Sequence, residues 1–275
     1  MNNFSGSFQC LIASFTRNRT LIVRMCKREV IARYRGSFIG LAWSFFNPIL
    51  LLLVYTFVFS VIFEARWGGS RFGGNENAGF AIMIFTGMVV HALFSDCFIR
   101  SPVLITGNPN FVKRVVFPLE VLPWVAMGAS AFHTAISLVV LIAAQFFLAG
   151  YIPWTAILVP LVILPLILLT LGVSWFFAAA GVYFRDLSQV SGFITTVLLF
   201  LSPVFYPLSL IPEQYRSLFY LNPLTYVIES CRELIVFGQL PSPVALGTYY
   251  CVSIGVAWLG FVWFQRTRKG FADVI

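Results

Sequence analysis

Six long apolar stretches take up most of the chain, and they constrain its fold more than any other feature. A helix that crosses a bilayer needs about 20 predominantly apolar residues. Stretches of this kind lie at residues 38–63, 79–99, 121–148, 153–182, 190–210 and 244–264. Apolar residues make up 59% of the sequence and charged residues only 10%. The sequence therefore predicts an all-α membrane protein with six transmembrane helices, in a single domain that covers residues 1–275.

The boundary between the third and fourth stretches is the hardest to place. Residues 121–184 contain no Asp, Glu, Lys or Arg. Gly150 and Pro153 are the strong turn formers near the middle of this run. We therefore predict two helices that are joined by a tight turn at this point.

The distribution of basic residues predicts the orientation in the membrane. Lys and Arg in short loops stay on the cytoplasmic side. With a cytoplasmic N-terminus, 14 of the 18 Lys and Arg residues lie on that side, and six spans return the basic C-terminus to it. Residues 1–37 are basic and lack the apolar core of a signal peptide, so we expect a cytoplasmic segment. The net charge of +8 thus indicates topology and contact with membrane lipids, and no nucleic-acid partner is expected.

Residues 15–35 form a candidate amphipathic helix before the first span. Arg17, Arg24, Arg28 and Arg35 are spaced at i, i+7, i+11 and i+18, which places them on one helical face. Phe15, Ile22, Cys26 and Val30 lie opposite them, whereas Leu21, Ile31 and Arg33 break the pattern. Such a helix is expected to lie at the membrane interface with its arginines near anionic head groups. A simple anchor for the first span explains the pattern equally well.

The cytoplasmic loop at residues 101–120 predicts a short helix. Asn108 is a suitable cap, Pro109 suits the first helical position, and Pro118 stops the helix after residue 116. A helix of this length is unstable alone. It must dock against its own bundle or against another protein, and the sequence leaves both open.

The outer segment at residues 211–243 predicts a pair of helices, 212–221 and 223–237. Asn222 and Pro223 open the second helix and Gly238 ends it. The pieces are too short or too charged to span, so we predict a pair that partly re-enters the membrane. Glu229, Arg232 and Glu233 are spaced to pair along the helix, although exposed pairs contribute little.

Signals for catalysis are sparse in this chain. No Gly-Lys pair occurs, so a nucleotide-binding P-loop is excluded. The five cysteines include no CxxC pair, which supports neither a disulfide frame nor a zinc site. His91, Asp96 and His133 are the ionisable residues nearest bilayer depth; we expect Asp96 to pair with Arg100 and favour helix-to-helix hydrogen bonds for the histidines over a metal or proton site. The sequence predicts no catalytic residue, no metal site and no cofactor in this chain.

Aromatic side chains form a candidate pathway surface. One stripe of the first span and one part of the fifth supply Phe38, Phe45, Tyr55, Phe59, Phe193 and Phe200. Flat aromatic rings stack on the apolar faces of sugars and also suit membrane interfaces. For any single ring, contact with lipid is an equally good explanation.

Short motifs along nearly the whole chain resemble one transporter family. These motifs are KREV at 27–30, RYRGSFIGLAW at 33–43, NP at 47–48 and 108–109, VVFP at 115–118, YFRD at 183–186, SPV at 202–204, YP at 206–207 and LNP at 221–223, with Glu229 and Arg232. In this order they resemble the permease subunits of bacterial polysaccharide ABC exporters. The pattern is most similar to the O-antigen permeases, with capsule and teichoic acid exporters nearby.

The resemblance implies a homodimer in the bacterial inner membrane that is bound to two copies of a separate ATPase, which holds ATP and Mg²⁺. The implied substrate is a long glycan on a polyprenyl pyrophosphate carrier. The helix at 109–116 corresponds to the coupling helix of the family, with Pro109, Asn110, Phe111, Lys113 and Arg114 as contact candidates. The outer hairpin corresponds to the exit gate, with Tyr206, Pro207, Asn222, Pro223, Glu229 and Arg232 as candidates.

The resemblance also gives the basic face a candidate ligand. Arg17, Arg24, Arg28 and Arg35 would attract the carrier pyrophosphate by charge and bidentate hydrogen bonds. An exporter of small lipophilic compounds would share the six-span plan. A membrane enzyme that acts on lipid-linked sugars would need clustered carboxylates or histidines at an interface, which the sequence lacks. A purely structural anchor is disfavoured by the proline-interrupted outer segment.

Overall fold

The computed structural model describes residues 8–62, 76–112 and 117–274, and no β-strand occurs among them. Five helical segments are long and apolar enough to cross a membrane. They are Gly40–Phe59, Gly79–Val103, Val121–Ala149, Trp154–Tyr183 and Pro243–Gly270. The prediction of an all-α membrane protein is confirmed at this level.

The helices follow one another with short connections. The first half contains α1 (Phe8–Arg33), a 3₁₀ turn (Gly40–Ala42), α2 (Trp43–Tyr55) with a π-helical extension (Thr56–Ile62), α3 (Glu76–Arg100) with a 3₁₀ extension (Ser101–Val103), α4 (Pro109–Val112) and α5 (Val121–Ala149). The second half contains a 3₁₀ turn (Trp154–Leu158), α6 (Val159–Tyr183), α7 (Leu187–Phe200), a 3₁₀ turn (Leu208–Leu210), α8 (Glu213–Leu221), α9 (Pro223–Arg232) with a π-helical extension (Glu233–Phe237), α10 (Pro243–Thr267), a 3₁₀ turn (Arg268–Gly270) and α11 (Phe271–Val274).

The tight turn between the third and fourth spans is confirmed. Gly150 ends α5 in the left-handed conformation, with φ of 76°. Pro153 is extended and precedes the 3₁₀ turn that leads into α6. Only glycine adopts the left-handed conformation at little cost, so this single residue fixes the end of α5.

The predicted fifth span, residues 190–210, is wrong at its C-terminal end. Helix α7 has 14 residues and ends at Phe200, so it is about 21 Å long. The hydrocarbon core of a bilayer is about 30 Å thick. Residue Ser202 precedes Pro203, and steric conflict with the proline ring disfavours helical geometry there. The count of six complete spans therefore stays a prediction.

Helix α3 lies at the centre of the bundle and α2 at its edge. In the apolar stretch of α3, 72% of the residues are buried, against 11% for α2. Helix α3 packs against α5, α6, α7 and α9. Most of the α2 surface is consequently left for lipid or for another chain.

Among the described helices, α6 and α10 make the most extensive contact, and glycines make their close approach possible. A Cβ on Gly260 would lie 2.0 Å from the carbonyl oxygen of Gly172. A Cβ on Gly172 would lie 2.4 Å from the carbonyl oxygen of Val256. Small residues at helix crossings allow such backbone contact in membrane proteins.

Candidate coupling, pathway and gate surfaces

Helix α1 carries exposed arginines and also a buried face, but Phe15, which the spacing places on the apolar face, is 42% exposed, so an amphipathic interface helix stays a prediction. Arg17, Arg24 and Arg28 are exposed, and Arg35 is exposed in the turn that follows the helix. We call these four residues the basic face. A shallow groove of about 430 Å³ runs along it, lined by Arg24, Lys27, Arg28, Ile31, Ala32 and Arg35. The helix thus presents a row of cations whose role stays a prediction.

The buried face of α1 packs against α5. Ile22, Met25 and Val30 are buried there. Cys26 lies directly over Gly128, where a Cβ would come within 2.4 Å of the cysteine sulfur. Burial, with a smaller contribution from the nearby charge of Glu29, raises the pKa of the Cys26 thiol. This cysteine is therefore a packing residue at neutral pH.

A group of polar side chains, which we call the Asp96 network, ties α1 to α3 and α5. Arg33 Nη2 lies 2.6 Å from Asp96 Oδ1, and Arg100 Nη2 lies 3.3 Å from Asp96 Oδ2. Arg100 Nη1 also lies 3.0 Å from Glu29 Oε1. The Ser130 hydroxyl donates to Asp96 Oδ2 at 2.7 Å. Two arginines and two carboxylates thus balance in charge within the network.

The Asp96 network explains why Arg33 interrupts the apolar pattern of α1. The pairing of Asp96 with Arg100, four residues later on α3, is confirmed. The ion pair of Arg33 with Asp96 joins residues 63 positions apart, so helical periodicity within α1 gives no sign of it. An isolated arginine on an apolar face was the only signal in the sequence.

Both histidines make hydrogen bonds between elements, as predicted. His91 Nε2 lies 3.2 Å from the carbonyl oxygen of Thr195, which joins α3 to α7. His133 Nδ1 lies 3.3 Å from the hydroxyl of Tyr34, at the end of α1. Burial raises the pKa of Tyr34, with opposing smaller effects of Arg33 and Asp96, so its hydroxyl keeps its proton at neutral pH. In the described part of the chain, no group of three or more His, Cys, Asp or Glu could hold a metal ion.

The short helix predicted at residues 109–116 is present in part as α4, which the structure describes from Pro109 to Val112; its coupling role stays a prediction. Lys113 and Arg114 lie outside the described residues. Pro109 and Asn110 are exposed, and Phe111 stacks on Phe117 with ring centroids 4.3 Å apart. The aromatic stack brings the two described ends of this loop together.

The predicted cap of α4 is not formed by the Asn108 side chain. Its amide Nδ2 donates to the carbonyl oxygen of Leu104 at 3.0 Å. Among the described residues, this is the one hydrogen bond of the side chain. Asn108 therefore closes the preceding turn, and Pro109 begins α4 with no N–H to satisfy.

The start of α5 is anchored by contacts that sequence reasoning missed. Glu120 Oε2 lies 2.7 Å from Arg268 Nη1, and Arg268 Nη2 donates to the carbonyl oxygen of Phe117 at 3.3 Å. The indole of Trp175 on α6 donates to the carbonyl oxygen of Glu120 at 3.1 Å. The loop after α4 is thus held by α6 and by the end of α10. Any movement of this loop would therefore disturb its contacts with both helices.

The aromatic candidates divide into exposed and half-buried rings. Phe38, Phe45, Phe193 and Phe200 are exposed, whereas Tyr55 and Phe59 are half-buried against the bundle. The ring of Phe205, just after α7, lies 6.4 Å from that of Phe59 and 6.2 Å from that of Phe200, measured between centroids. The structure therefore brings the π-helical extension of α2 and the C-terminal end of α7 together through one aromatic cluster.

The two helices predicted at residues 212–221 and 223–237, which we call the outer helix pair, are present as α8 and as α9 with its π-helical extension, and their outer, re-entrant position stays a prediction. The Asn222 side chain accepts from the backbone N–H of Leu224 at 2.9 Å, which caps α9. Its amide Nδ2 also donates to Ser202 Oγ at 2.9 Å. Pro207 precedes the 3₁₀ turn, and the Tyr206 hydroxyl donates to the carbonyl oxygen of Phe200. Pro223 is the first residue of α9.

Arg232 is a buried clamp, which differs from the exposed ion pair expected from the sequence. Its side chain is 1% exposed, and Nη1 lies 2.7 Å from Glu229 Oε1. Its Nε and Nη2 donate to the carbonyl oxygen of Met83 at 3.1 and 3.0 Å, and Nη2 also donates to that of Val204 at 2.9 Å. The expectation of a weak surface pair was wrong, because α9 packs into the bundle with this face inward.

The ABC-2 type transporter family matches residues 20–236, which is well over half of the 275-residue chain. The chain belongs to this family. The match runs from α1 through α4 to the π-helical extension of α9, so most of the predicted surfaces lie within it. As an ABC-2 permease, the chain is a multi-pass transport protein and not itself an enzyme.

Full-length relatives of this ABC-2 permease are named for polysaccharide export. It is 30% identical over 267 residues to the O-antigen export system permease protein RfbA of Myxococcus xanthus, covering 96% of this chain and 99% of that protein. It is 24% identical over 257 residues to a permease of the same name from Klebsiella pneumoniae, covering 93% and 95%. It is 24% identical over 267 residues to the polysialic acid transport protein KpsM of Escherichia coli, covering 94% and 96%. The resemblance drawn from the motifs is thereby confirmed.

Proposed function

We propose that this ABC-2 permease is the transmembrane subunit of an ATP-driven exporter that moves a polyprenyl-pyrophosphate-linked, O-antigen-like polysaccharide across the bacterial inner membrane. The observation that carries the proposal is the 30% identity to an O-antigen export permease over 96% of this chain and 99% of that protein. The 24% identity to a polysialic acid transporter makes a capsule polymer the second candidate substrate. Teichoic acid and small lipophilic compounds have no comparable support.

The motor is expected on a separate chain. The sequence holds no P-loop, and the family match covers a permease. We propose two copies of an ATP-binding subunit, which hold ATP and Mg²⁺, together with a second copy of this chain. The edge position of α2 supports a dimer, because only 11% of its apolar stretch is buried within one subunit.

The ATP-binding subunit is proposed to dock on α4 and the residues that follow it. Pro109 and Asn110 are exposed there, and Lys113 and Arg114 follow directly. A push on this loop would reach α10 through the ion pair of Glu120 with Arg268. The excess of basic residues on one side supports a cytoplasmic position for this loop and for both termini.

The glycan is proposed to pass along the exposed aromatic rings of α2 and α7. Phe38, Phe45, Phe193 and Phe200 are exposed on the single chain, so their faces are accessible to sugar rings there. The basic face of α1 is proposed to receive the carrier pyrophosphate, for which arginine is well suited. The outer helix pair, anchored at Asn222 and Arg232, is proposed to form the exit gate and to re-enter the membrane.

Loss of the basic face should abolish export. We expect a deletion strain of the source bacterium to lose surface glycan, and wild-type protein to restore it. A variant with Arg17, Arg24, Arg28 and Arg35 changed to Gln should restore less than about a tenth, since several charge-assisted bonds to pyrophosphate are lost. Surface glycan is measured by gel electrophoresis of extracted polysaccharide, with protein level checked in membranes.

Arg19→Gln is the control for the basic face, because Arg19 is exposed on the same helix but lies outside that face. Normal surface glycan in the deletion strain would refute polysaccharide export. If the deletion strain does lose surface glycan and the four-residue variant restores it fully, only the role of the basic face is refuted.

Charge reversal in the coupling loop should separate ATP hydrolysis from transport. We expect the double variant Lys113→Glu and Arg114→Glu to weaken co-purification of the ATP-binding subunit or to remove stimulation of its ATPase by lipid-linked glycan. Like charges placed at a docking contact cost binding energy and slow association. The measurement is ATPase activity of the purified complex in nanodiscs, with and without lipid-linked glycan.

A reversal of the same size at Arg266 and Lys269 controls for net charge, because both are exposed near the end of α10. An equal loss in both double variants would mean that overall charge, and not this loop, sets the coupling.

A further inference from the structure

A cavity of about 560 Å³ lies between α2, α3 and α5, beside the end of α1. Its volume is within the range of about 300–1,000 Å³ that is usual for small-molecule sites. One end is polar and contains Arg33, Tyr34, Asp96 and His133. The other end is formed by Leu51, Tyr55, Phe85 and Met88. The cavity thus has the two-part lining of a site for an amphiphile.

The length of the cavity matches one leaflet of a bilayer. Its lining on α2 runs from Ser44 to Tyr55, and on α3 from Asp96 to Phe85. Each stretch covers 11 helical steps, or about 16 Å. The hydrocarbon core is about 30 Å thick, so the cavity extends from the end of α1 to about the membrane midplane. The polar end lies at the depth of lipid head groups if α1 lies at the membrane interface.

The polar end keeps groups that are free to bind an anion. The ion pair with Asp96 uses only Nη2 of Arg33; its Nε and Nη1 have no partner among the described residues. Asp96 already accepts from Arg33, Arg100 and Ser130, so its charge is satisfied within the network. The side chain of Arg33 is 44% exposed, which leaves its outer edge accessible.

His133 adds a second unpartnered group to the same end. Its Nε2 is buried and has no hydrogen-bond partner within the described chain. When the Tyr34 hydroxyl donates to Nδ1, the ring carries its proton on Nε2, which is then a donor without an acceptor. A buried polar atom of this kind normally finds a partner. A phosphate oxygen at this end could accept directly from Arg33, and from His133 Nε2 once the ring turns to expose it.

We propose that the cavity binds one phosphate-bearing membrane lipid, with its phosphate at Arg33 and His133 and one chain along Leu51, Tyr55 and Met88. Free phosphate would leave the apolar walls facing water, whereas a lipid chain buries them. The ligand lies between α2, which is at the edge of the bundle, and the fixed pair of α3 and α5. A bound lipid would therefore fill the space between α2 and the rest of the bundle. This site is separate from the basic face and does not depend on which polymer is exported.

Native mass spectrometry of the full chain, purified in detergent, tests the site. The probes are phosphatidylglycerol, phosphatidylethanolamine, a polyprenyl phosphate and diacylglycerol, the last of which lacks phosphate. We expect one molecule of a phosphate-bearing lipid to bind per chain. Diacylglycerol should bind about tenfold more weakly, because it cannot form the charge-assisted hydrogen bonds of a phosphate. Tighter binding of the polyprenyl phosphate would identify the carrier as the occupant, and tighter binding of a phospholipid would identify a bilayer lipid; either result supports the site.

Two variants and two matched controls locate the binding. Arg33→Gln should weaken binding about tenfold, and Ala92→Phe should abolish it by filling the cavity from an exposed position of its wall. Arg19→Gln and Ala143→Phe make the same changes at exposed positions outside the cavity and outside the basic face, and should bind normally. If Arg33→Gln does not yield folded protein, Ala92→Phe decides alone. Equal binding of diacylglycerol, or full binding by Ala92→Phe, would overturn the proposal.

Discussion

Gly260→Leu should prevent the chain from accumulating as folded protein. A Cβ at this position would lie 2.0 Å from the carbonyl oxygen of Gly172 and 2.9 Å from its Cα, so the obstacle is backbone that no rotamer change can move. Helices α6 and α10, the most extensive contact in the bundle, would have to separate. Overpacking of side chains alone costs about 1–3 kcal/mol, and we expect at least the upper value here. Size-exclusion chromatography of a fluorescent fusion measures the folded fraction.

Gly255→Leu is the matched control, because it adds the same side chain to the same helix. No atom lies within 4 Å of a Cβ at Gly255. This variant should elute and melt like the wild type. Similar loss in both variants would show that glycine is needed for helix insertion in general, and wild-type behaviour of Gly260→Leu would refute the close crossing.

The crossing of α6 and α10 shows what a sequence can and cannot predict in a membrane bundle. Length and hydropathy predict that both segments are helices, since the bilayer leaves few other choices. They do not predict which glycines touch another backbone, because Gly172, Gly255 and Gly260 look alike in sequence. Contact between helices depends on their rotation about their axes, and uniformly apolar segments carry little signal for that.

The same limit explains the error at the end of the fifth span. Residues 201–210 are nearly as apolar as α7 itself, and hydropathy cannot distinguish a loop covered by protein from a helix covered by lipid. The local signals were more reliable. Asn222 caps α9, Gly150 ends α5 and Gly238 ends the π-helical extension, each because its conformational preference acts within a few residues.

Charged residues in the bundle were misjudged for a related reason. Arg33, Arg268 and Arg232 contact partners that are 63, 148 and 149 positions away in sequence. Helical spacing detects only partners within one helix, such as Asp96 with Arg100 or Glu229 with Arg232. The candidate sites were thus placed on the correct segments, while the contacts that hold these segments together came from the fold.

Arg232→Met should release the outer helix pair from the bundle. Methionine keeps much of the length but leaves the carbonyl oxygens of Met83 and Val204 without these donors, and Glu229 without this cation. Removing one partner of a buried pair costs about 3–5 kcal/mol; we expect about 3 kcal/mol because the Glu229 side chain is 33% exposed. The energy needed to open α9 locally should fall by the same amount.

The neighbouring Cys231 reports this opening directly. Its side chain is 0% exposed, and burial raises the pKa of its thiol to about 12, so it should resist maleimide in the wild type. In Arg232→Met we expect labelling to be roughly 100-fold faster, since each 1.4 kcal/mol of opening energy is about a factor of ten. Mass spectrometry of the peptide that contains Cys231 separates it from the exposed Cys251. Arg216→Met is the control, because the Arg216 side chain is 36% exposed and its contacts are local: a 3.8 Å pair with Glu213 and hydrogen bonds to the carbonyl oxygens of Ile211 and Ser209. Wild-type labelling of Cys231 in Arg232→Met would mean that apolar packing alone holds α9, and the outer gate would then have to open by a hinge other than this clamp.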